Sequence, residues 1–466
     1  MGSAASLFYS ANDTEKQTLY RRITPSDEQF EEQQDRWNAL ADHLIADLKE
    51  RSGYPIRTWL QGSYKFGTQI RPVHHGEEFD IDLGVYLQWE GKPQDGRHGP
   101  KTLKSFVQDS LKAYVPANAA DVEQVMPPKE RCCRIQFKNS FHIDTPAYHL
   151  DPERDARRLA TEGGVWETSD PKAIYLWFRD NFDDLTRAKV RRYVKYVKAW
   201  AALKFDLNNG RPSSILLTVL VADAAKALGT SGLGADDETL RDILEMIVET
   251  LEADTKVPNP VNTTENLPHM TDAQMTTFID RLKTFLDVAE RATAKTEELA
   301  AADIWQESFE HLFPMPETKE ALTKDAAQLP VRFVLPEIKV TATSRTNPAG
   351  GRFSGVNEIG PIPKDCDIRF EVTNPYALLA NSQILWMVRN EGREAENIND
   401  LGHIAGRGLT AQERSAYRGT HYMDCVVKVA GQTVAMRRVP VTITGQVMPR
   451  RNPLLRPEWV KLRGRR

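Results

Sequence analysis

The sequence predicts an α+β protein built in succession from a mixed sheet with helices on one side, a helical second lobe, and an all-β, sandwich-like C-terminal domain. Three observations carry this. Alternating segments around Thr58–Leu60, Asp80–Gln88 and Arg134–Asp144 are interleaved with helical patterns. Helical periodicity then dominates from Asp236 to about Phe313. Past Met315-Pro316 and Leu329-Pro330 the pattern changes to short β-runs divided by turns. At 466 residues the chain exceeds the size at which one core keeps growing. The expected division is 1–205 for the mixed sheet with its N-terminal helix, 206–328 for the helical lobe, 329–448 for the β-rich domain and 449–466 for a basic tail.

The first element opens at Pro25-Ser26-Asp27-Glu28-Gln29, where Ser26 can cap and the acids sit in the first turn. Its helix runs to about Glu50 with Phe30, Trp37, Leu40, Leu44 and Leu48 on one side. A second helix lies near Leu103–Ala113, and 185–205 and 213–228 read as helices before the break Gly229-Thr230-Ser231-Gly232-Leu233-Gly234. Val257-Pro258-Asn259-Pro260-Val261-Asn262 interrupts the helical lobe, whose charged residues Lys295, Glu297 and Glu298 read as solvated surface. The predicted C-terminal strands are Val331–Val334, Ile338–Ala342, Asp367–Val372, Ile384–Val388, Cys425–Val429 and Val434–Ile443, a sandwich of about 110 residues.

The chemistry is concentrated in Phe79-Asp80-Ile81-Asp82. On a strand, residues i and i+2 share a face, so Asp80 and Asp82 project together while Phe79, Ile81 and Leu83 face a core. Two adjacent carboxylates repel, and a divalent cation relieves that repulsion. Mg²⁺ suits the pair because it prefers one or two carboxylates plus the phosphates of a bound nucleotide. Upstream, Gln61-Gly62-Ser63-Tyr64 offers a turn whose backbone N–H groups approach phosphate closely at Gly62, and a hydroxyl at Ser63. Asp144, at the end of the third alternating segment, is a plausible third metal ligand.

Arg187, Arg191, Lys195 and Lys198 recur at helical spacing, with no acidic residue between Arg187 and Phe205. Val190, Val194, Val197 and Ala201 form the neighbouring apolar stripe, so one face packs and the next can hold triphosphate. His142 and His149 flank Asp144 and read as structural.

At these residues the chain resembles the bacterial cGAS/DncV-like nucleotidyltransferases of the DNA polymerase beta superfamily, over roughly residues 15–320. The resemblance implies the polymerase-beta-like nucleotidyltransferase fold. It matches Gly62 and Ser63 to the phosphate-binding Gly-Ser, with Gln61 and Tyr64 beside them, Asp80 and Asp82 to the paired metal ligands, and Asp144 to the third carboxylate. Lys198, with Lys195 near it, falls where the family holds the donor triphosphate, and Ser213 or Ser214 where it has a second nucleotide contact. One departure is visible: the interval from Ser63 to Asp80 is longer than usual and carries His74-His75-Gly76-Glu77-Glu78. A second resemblance covers Leu385 to Ala395, Gly406-Arg407-Gly408 and Gly419-Thr420-His421-Tyr422, similar to the adenylyl/guanylyl and SMODS-type sensor domain. It implies Arg389, Arg393, Arg407 and His421 as possible phosphate contacts, with Trp386 in the core.

Composition narrows the setting. The 40% hydrophobic and 27% charged fractions are those of a globular chain. No stretch approaches the roughly 18 apolar residues of a membrane span, and the N-terminus lacks a signal pattern, so no membrane partner and a cytoplasmic location are expected. Cys132, Cys133, Cys366 and Cys425 lack metal-ligand spacing and read as reduced and structural. A net charge of −4 argues against a surface that grips nucleic acid throughout. Basic residues are local, in the helix above and in the tail from Arg450 to Arg466.

The expected reaction is attack of a ribose hydroxyl on the α-phosphate of a nucleoside triphosphate, ATP or GTP, with pyrophosphate leaving and two Mg²⁺ or Mn²⁺ ions held by the three carboxylates. The resemblance implies a cyclic or short oligonucleotide second messenger in anti-phage signalling and a downstream effector that it activates. The terminal Leu462-Arg463-Gly464-Arg465-Arg466 lacks the small last residue of relatives conjugated through their C-terminus. Two alternatives stand beside this: a template-independent transferase acting on a nucleic-acid or protein acceptor held by the basic helix and tail, and a non-catalytic nucleotide sensor.

Overall fold

A computed structural model describes residues 3–11, 17–74, 76–138, 141–207, 209–316, 320–322 and 334–449. The chain forms two compact units, Met1–Thr296 and Glu297–Arg466. The basic tail from residue 450 and all of the expected strand at 331–334 except Val334 lie outside the described residues.

In the first unit, short helices α1 (Ala5–Phe8) and α2 (Leu19–Ile23) precede α3 (Asp27–Ser52). The start of α3 is fixed by a reciprocal cap: Ser26 accepts from the Gln29 N–H, and the Gln29 side chain accepts from the Ser26 N–H. Its end is fixed at Gly53, in the left-handed region at φ 70°. Leu40, Leu44 and Leu48 are buried on one stripe, whereas Phe30 at the first turn is 45% exposed.

Strand β1 (Ile56–Gln61) runs straight into the single helical turn α4 (Gly62–Phe66), and β2 (Phe79–Gln88) follows. Helix α5 (Pro100–Tyr114) leads to β3 (Val122–Val125), β4 (Cys133–Phe137), β5 (Phe141–Thr145), β6 (Ala147–Asp151), β7 (Ala156–Ala160) and β8 (Trp166–Glu167). The sheet order is β3-β4-β5-β2-β6-β7-β8, with β1 also paired to β2. Among the described residues of this sheet, only β2 with β5 and β2 with β6 pair in parallel. Pro146 separates β5 from β6, yet its carbonyl still accepts from the Val85 N–H at 2.9 Å.

The alternation of β2 is realised: Phe79, Ile81, Leu83, Val85 and Leu87 are all at most 3% exposed and share a core with α3 and α5. Each such side chain contributes roughly 1.5–3 kcal/mol by burial. The segment expected as one strand, Arg134–Asp144, is instead the antiparallel pair β4–β5. Its chain reverses between Phe137 and Phe141, whose stacked rings (4.7 Å) close the hairpin. This reversal sets Arg134 directly opposite Asp144.

The helical part comprises α6 (Pro171–Asp180), α7 (Asp184–Lys204), α8 (Ser214–Gly232), α9 (Asp236–Ala253), the small hairpin β9 (Pro258–Asn259) and β10 (Asn262–Asn266), and α10 (Asp272–Thr293). Gly229, at φ 70° and ψ 167°, interrupts α8 where the sequence predicts a break. The expectation about membrane spans is amended, because α8 is long and apolar enough to cross a bilayer. Here it is a core helix, with Leu216, Leu217, Val219, Leu220 and Val221 buried within the unit.

The second unit begins with α11 (Glu298–Phe309), upstream of the expected boundary at 328/329. The reason lies in the segment that follows α11, whose His311 and Phe313 carbonyls accept from the Arg389 guanidinium. After β11 (Glu320–Leu322) come β12 (Ile338–Ser344), β13 (Arg352–Val356), β14 (Ile359–Lys364), β15 (Cys366–Val372), β16 (Gln383–Arg389), β17 (Gly402–Arg407), β18 (Thr410–Arg414), β19 (Gly419–Val429) and β20 (Gln432–Val447). They form a six-stranded sheet, β11-β20-β19-β16-β17 with β14 on β20, and a four-stranded sheet, β13-β12-β15-β18. Their inner faces share one core, in which Trp386 is fully buried with its Nε1 donating to the Gly408 carbonyl at 2.7 Å.

Candidate active site

Asp80 and Asp82 lie on the face of β2 opposite the core. The parallel register places Asp80 beside His142 and Asp82 beside Asp144 on β5. On its other side Asp82 is paired with Gln61 of β1, one residue before the Gly-Ser turn. Three strands therefore bring the Asp pair, the third carboxylate and the turn to one place.

Asp144 is gripped by charge. Arg134 donates from Nε (2.5 Å) and Nη2 (2.7 Å) to its two oxygens, and the Cys132 thiol donates to Oδ2 at 3.2 Å. His142, read from the sequence as structural, lies in the site: its Nδ1 is 2.7 Å from Glu78 Oε2 and its Nε2 is 3.0 Å from Asp80 Oδ1. The second contact is close enough for charge pairing but too poorly aligned to count as a hydrogen bond. His149, by contrast, is held by the Trp89 carbonyl (3.0 Å) and ring, a structural role as expected.

The three carboxyls differ in their surroundings. Burial pushes Asp80 up, although over half of its side chain is exposed, and the close His142 ring, with the charges of Arg134 and Lys129, more than reverses this and holds it below its ordinary value. Burial, then the neighbouring charges of Asp80 and Asp144, drive Asp82 well above the carboxylate range.

Helix α7 brings the cations. Lys198 Nζ donates to the Thr68 carbonyl (3.1 Å) and hydroxyl (3.4 Å), and burial lowers its pKa to about 7 against the pull of Asp80 and Asp82. Lys195 is also lowered to about 7, by burial, Lys198 and Arg191, but its Nζ turns to Thr24 (3.2 Å) and the Tyr20 ring. The long segment between the turn and β2 is anchored on α7, since Arg191 Nε donates to the Phe66 carbonyl (2.7 Å) and His74 Nε2 meets the Ala202 carbonyl (2.8 Å).

Other expected contacts are distributed unevenly. Gly62 has φ 56°, and a Cβ there would lie 1.9 Å from Asp82 Oδ2. Only glycine allows that approach. Ser63 sits in α4, with its carbonyl accepting from the Thr68 N–H. The Gln61 side chain turns away into the sheet, donating to Tyr86 (2.8 Å) and accepting from Tyr148 (3.3 Å). Tyr64 stacks on Phe30 and accepts from Trp37 Nε1, packing against α3. Ser213 caps α8 by accepting from the Leu216 N–H, while Ser214 is exposed in the first turn of that helix.

In the second unit, Arg389 is 2% exposed and bound to Asp424 (2.6 Å) and to two carbonyls, which removes it as a phosphate contact. His421 is likewise committed: Nδ1 accepts from the Glu391 N–H and Nε2 meets the Tyr417 carbonyl at 2.9 Å. Arg393 and Arg407 are exposed.

The carboxylate cluster suits a hard divalent cation. Among the described residues, Asp80, His142 and Asp144 offer ligand atoms within 4.8 Å of one another. Asp82 stands beside that set, its carboxylate without a hydrogen bond or ion pair among the described residues. Clustered carboxylate oxygens, whose repulsion is still felt at Asp82, fit Mg²⁺ or Mn²⁺. Arg134 and His142 were missed as site residues from sequence, and their only signal there was strand alternation around Asp144.

Both units are similar to known proteins. Residues 56–148 match the family model of the nucleotidyltransferase domain of cyclic GMP-AMP synthase DncV-like proteins, and residues 308–444 match that of the adenylyl/guanylyl and SMODS C-terminal sensor domain. A cyclic GMP-AMP synthase of Escherichia albertii is 29% identical over 460 residues, spanning 97% of this chain and 99% of that protein. Another, from Vibrio cholerae serotype O1, is 26% identical over 297 residues, 53% of this chain and 66% of that protein. In fold, the chain is similar to the crystal structure of Vibrio cholerae DncV, a cyclic AMP-GMP synthase and prokaryotic cGAS homologue, with a TM-score of 0.55 and 21% identity over 67% of this chain and 98% of that one. The Bradyrhizobium diazoefficiens CD-NTase CdnG, in complex with GTP, aligns with a TM-score of 0.51 and 15% identity over 62% and 93% of the two chains.

Proposed function

We propose, from the premise that this chain is a DncV-like nucleotidyltransferase carrying an adenylyl/guanylyl and SMODS C-terminal sensor domain, that it joins ATP and GTP into a cyclic dinucleotide or short oligonucleotide second messenger. The observation that carries this reading is the cross-strand register of Asp80 and Asp82 with His142 and Asp144, under a turn that only glycine permits.

In each step a ribose hydroxyl oxygen bonds to an α-phosphorus, the bond from that phosphorus to the bridging oxygen breaks, and pyrophosphate leaves with the electron pair. Asp80, Asp82 and Asp144 would hold two Mg²⁺ or Mn²⁺ ions, which supply charge stabilisation at the attacking and leaving oxygens. Asp144 takes the hydroxyl proton. Ser63, the N–H groups around Gly62 and the Lys198 ammonium bind the departing phosphates, whose charge grows as the bond breaks. The nearness of Lys198 to the charges of Asp80 and Asp82 supports this role. His142 orients Asp80 through its link to Glu78.

We place the protein in the cytoplasm, where its substrates are and where the free thiols of Cys132, Cys133, Cys366 and Cys425 stay reduced. The product would activate a downstream effector in anti-phage defence, and the second unit would sense a nucleotide. Mass spectrometry of products after incubation with all four ribonucleotides and Mg²⁺ or Mn²⁺ tests the reading. A cyclic dinucleotide or oligonucleotide is expected; a single nucleotide added to an acceptor, or no product, refutes it.

A further inference from the structure

The second unit contains a cavity of about 150 Å³ between its two sheets. One wall is Ile368 and Phe370 of β15, and the other is Met423 of β19 and Val441 of β20. All four belong to the sandwich core, so the cavity is a gap in the packing with an apolar floor. Its size admits one aromatic ring system and falls short of what a whole nucleotide needs.

The rim is polar and carries two carboxylates. Asp400 accepts from the Tyr417 hydroxyl at 2.6 Å, and Glu413 Oε1 lies 2.9 Å from His403 Nε2, which engages one oxygen of each carboxylate. The guanidinium at the rim, Arg414, is tied to Asp365. His421 is occupied on both ring nitrogens by backbone groups, and burial lowers its pKa, so it stands as a neutral wall. Phosphate entering here would meet carboxylates.

Asn390 supplies the independent observation. It lines the cavity and is only 8% exposed. Its backbone N–H donates to the Leu401 carbonyl, while its carboxamide has no hydrogen-bond partner among the described residues. A carboxamide that opens onto a cavity without a protein partner is free to pair with a ligand's donor and acceptor together. A carboxamide donates and accepts side by side, which matches the edge of a purine, and carboxylates accept from ring N–H and exocyclic NH₂ groups.

We infer that this cavity receives a purine base, bound by the Asn390 carboxamide and the Glu413 and Asp400 carboxylates over an apolar floor, with the sugar and phosphates left at the mouth. The inference rests on the sensor reading and names its site and ligand class.

Calorimetric titration of the full-length protein with adenosine, guanosine, cytidine, uridine and inorganic triphosphate, in EDTA so that metal-dependent binding in the first unit is silent, tests it. Adenosine or guanosine should bind, with both pyrimidine nucleosides roughly tenfold weaker or more and triphosphate giving no heat. Asn390→Ala and, separately, Glu413→Gln should each weaken purine binding by about tenfold with little change in Tm. Should Asn390→Ala unfold, the partly exposed Glu413 position carries the test alone. Binding by triphosphate in preference to nucleosides, unchanged affinity in the folded variants, or no nucleoside binding at all overturns the inference. A cyclic dinucleotide that binds wild type and both variants equally would preserve the sensor reading while placing its ligand elsewhere.

Discussion

Asp82 Oδ2 fills the space that a side chain on residue 62 would need, 1.9 Å from where a Cβ on Gly62 would stand. Gly62→Ala should therefore move either the turn or the carboxylate, and the positive φ adds strain of more than about 1 kcal/mol. We expect a fall in turnover of at least two orders of magnitude with only a modest drop in Tm. Wild-type turnover in a folded Gly62→Ala protein would mean that the turn does not approach the reacting phosphates.

Asp80→Asn with Asp82→Asn should abolish product formation and leave the protein folded. For stability the two positions have opposite signs. Asp82, with its pKa raised, costs stability once pH rises from the ordinary carboxylate range through its folded value. Asp80, with its pKa lowered, contributes stability above the ordinary range that is lost as pH falls through its folded value. At neutral pH, Asp82→Asn alone should raise Tm in EDTA. A lower Tm than wild type would show that the Asp82 carboxylate is stabilised by something other than a bound cation.

Lys198→Ala should raise KM for nucleotide and lower kcat together, because the charge that the ammonium meets grows in the transition state. A folded pKa of about 7 implies that the charged form declines as pH rises through 7, so wild-type KM should climb there. Lys198→Arg, always charged, should flatten that climb while recovering only part of kcat. Lys195→Met should change KM far less, since its Nζ is bound to Thr24 and Tyr20. Steady-state kinetics from pH 6 to 9 on the order of half-unit steps separate the two lysines.

Arg389→Met should destabilise the second unit by about 3–5 kcal/mol by leaving Asp424 buried without one of its two guanidinium partners. Asp424 itself, lowered to about 2 by Arg438 and Arg389 against the cost of burial, contributes stability above its ordinary pKa that is lost as pH falls toward 2. Wild type should therefore show an acid transition that Asp424→Asn lacks, visible by thermal melts between pH 5 and 2, a window of about three units. An unchanged Tm in Arg389→Met would return this arginine to the list of possible ligand contacts.

Cutting the chain tests where its units divide. Residues 1–296 should fold and synthesise product, and residues 297–466 should melt higher than 329–466, because the shorter piece lacks the His311 and Phe313 carbonyls that hold Arg389. Equal melting of the two C-terminal pieces would show those carbonyls to be dispensable.

What the sequence made legible was local. The i, i+2 alternation of β2, the Ser26 cap and the basic stripe of α7 each follow from neighbours in the chain, and each stands where it was expected. What it hid depends on partners distant in sequence. Arg134 and Asp144 are ten residues apart and read as two points on one strand; only the reversal between Phe137 and Phe141 makes them cross-strand neighbours. Arg389 looks like a surface cation because nothing adjacent announces Asp424 or the carbonyls upstream. Gln61 and Tyr64 flank the turn in the chain, but their side chains are drawn off by Tyr86, Tyr148 and Phe30.

The double hold of Arg134 on Asp144 bears on how the protein waits between turnovers. A carboxylate gathered with two others would ordinarily need a mobile ion from solution to be tolerated. Here a tethered counter-ion is built into the next strand, so that corner of the sheet is neutralised as soon as the hairpin forms. On the proposed reading, an incoming divalent ion would compete with Arg134 for Asp144, and without one the protein would stay folded and silent.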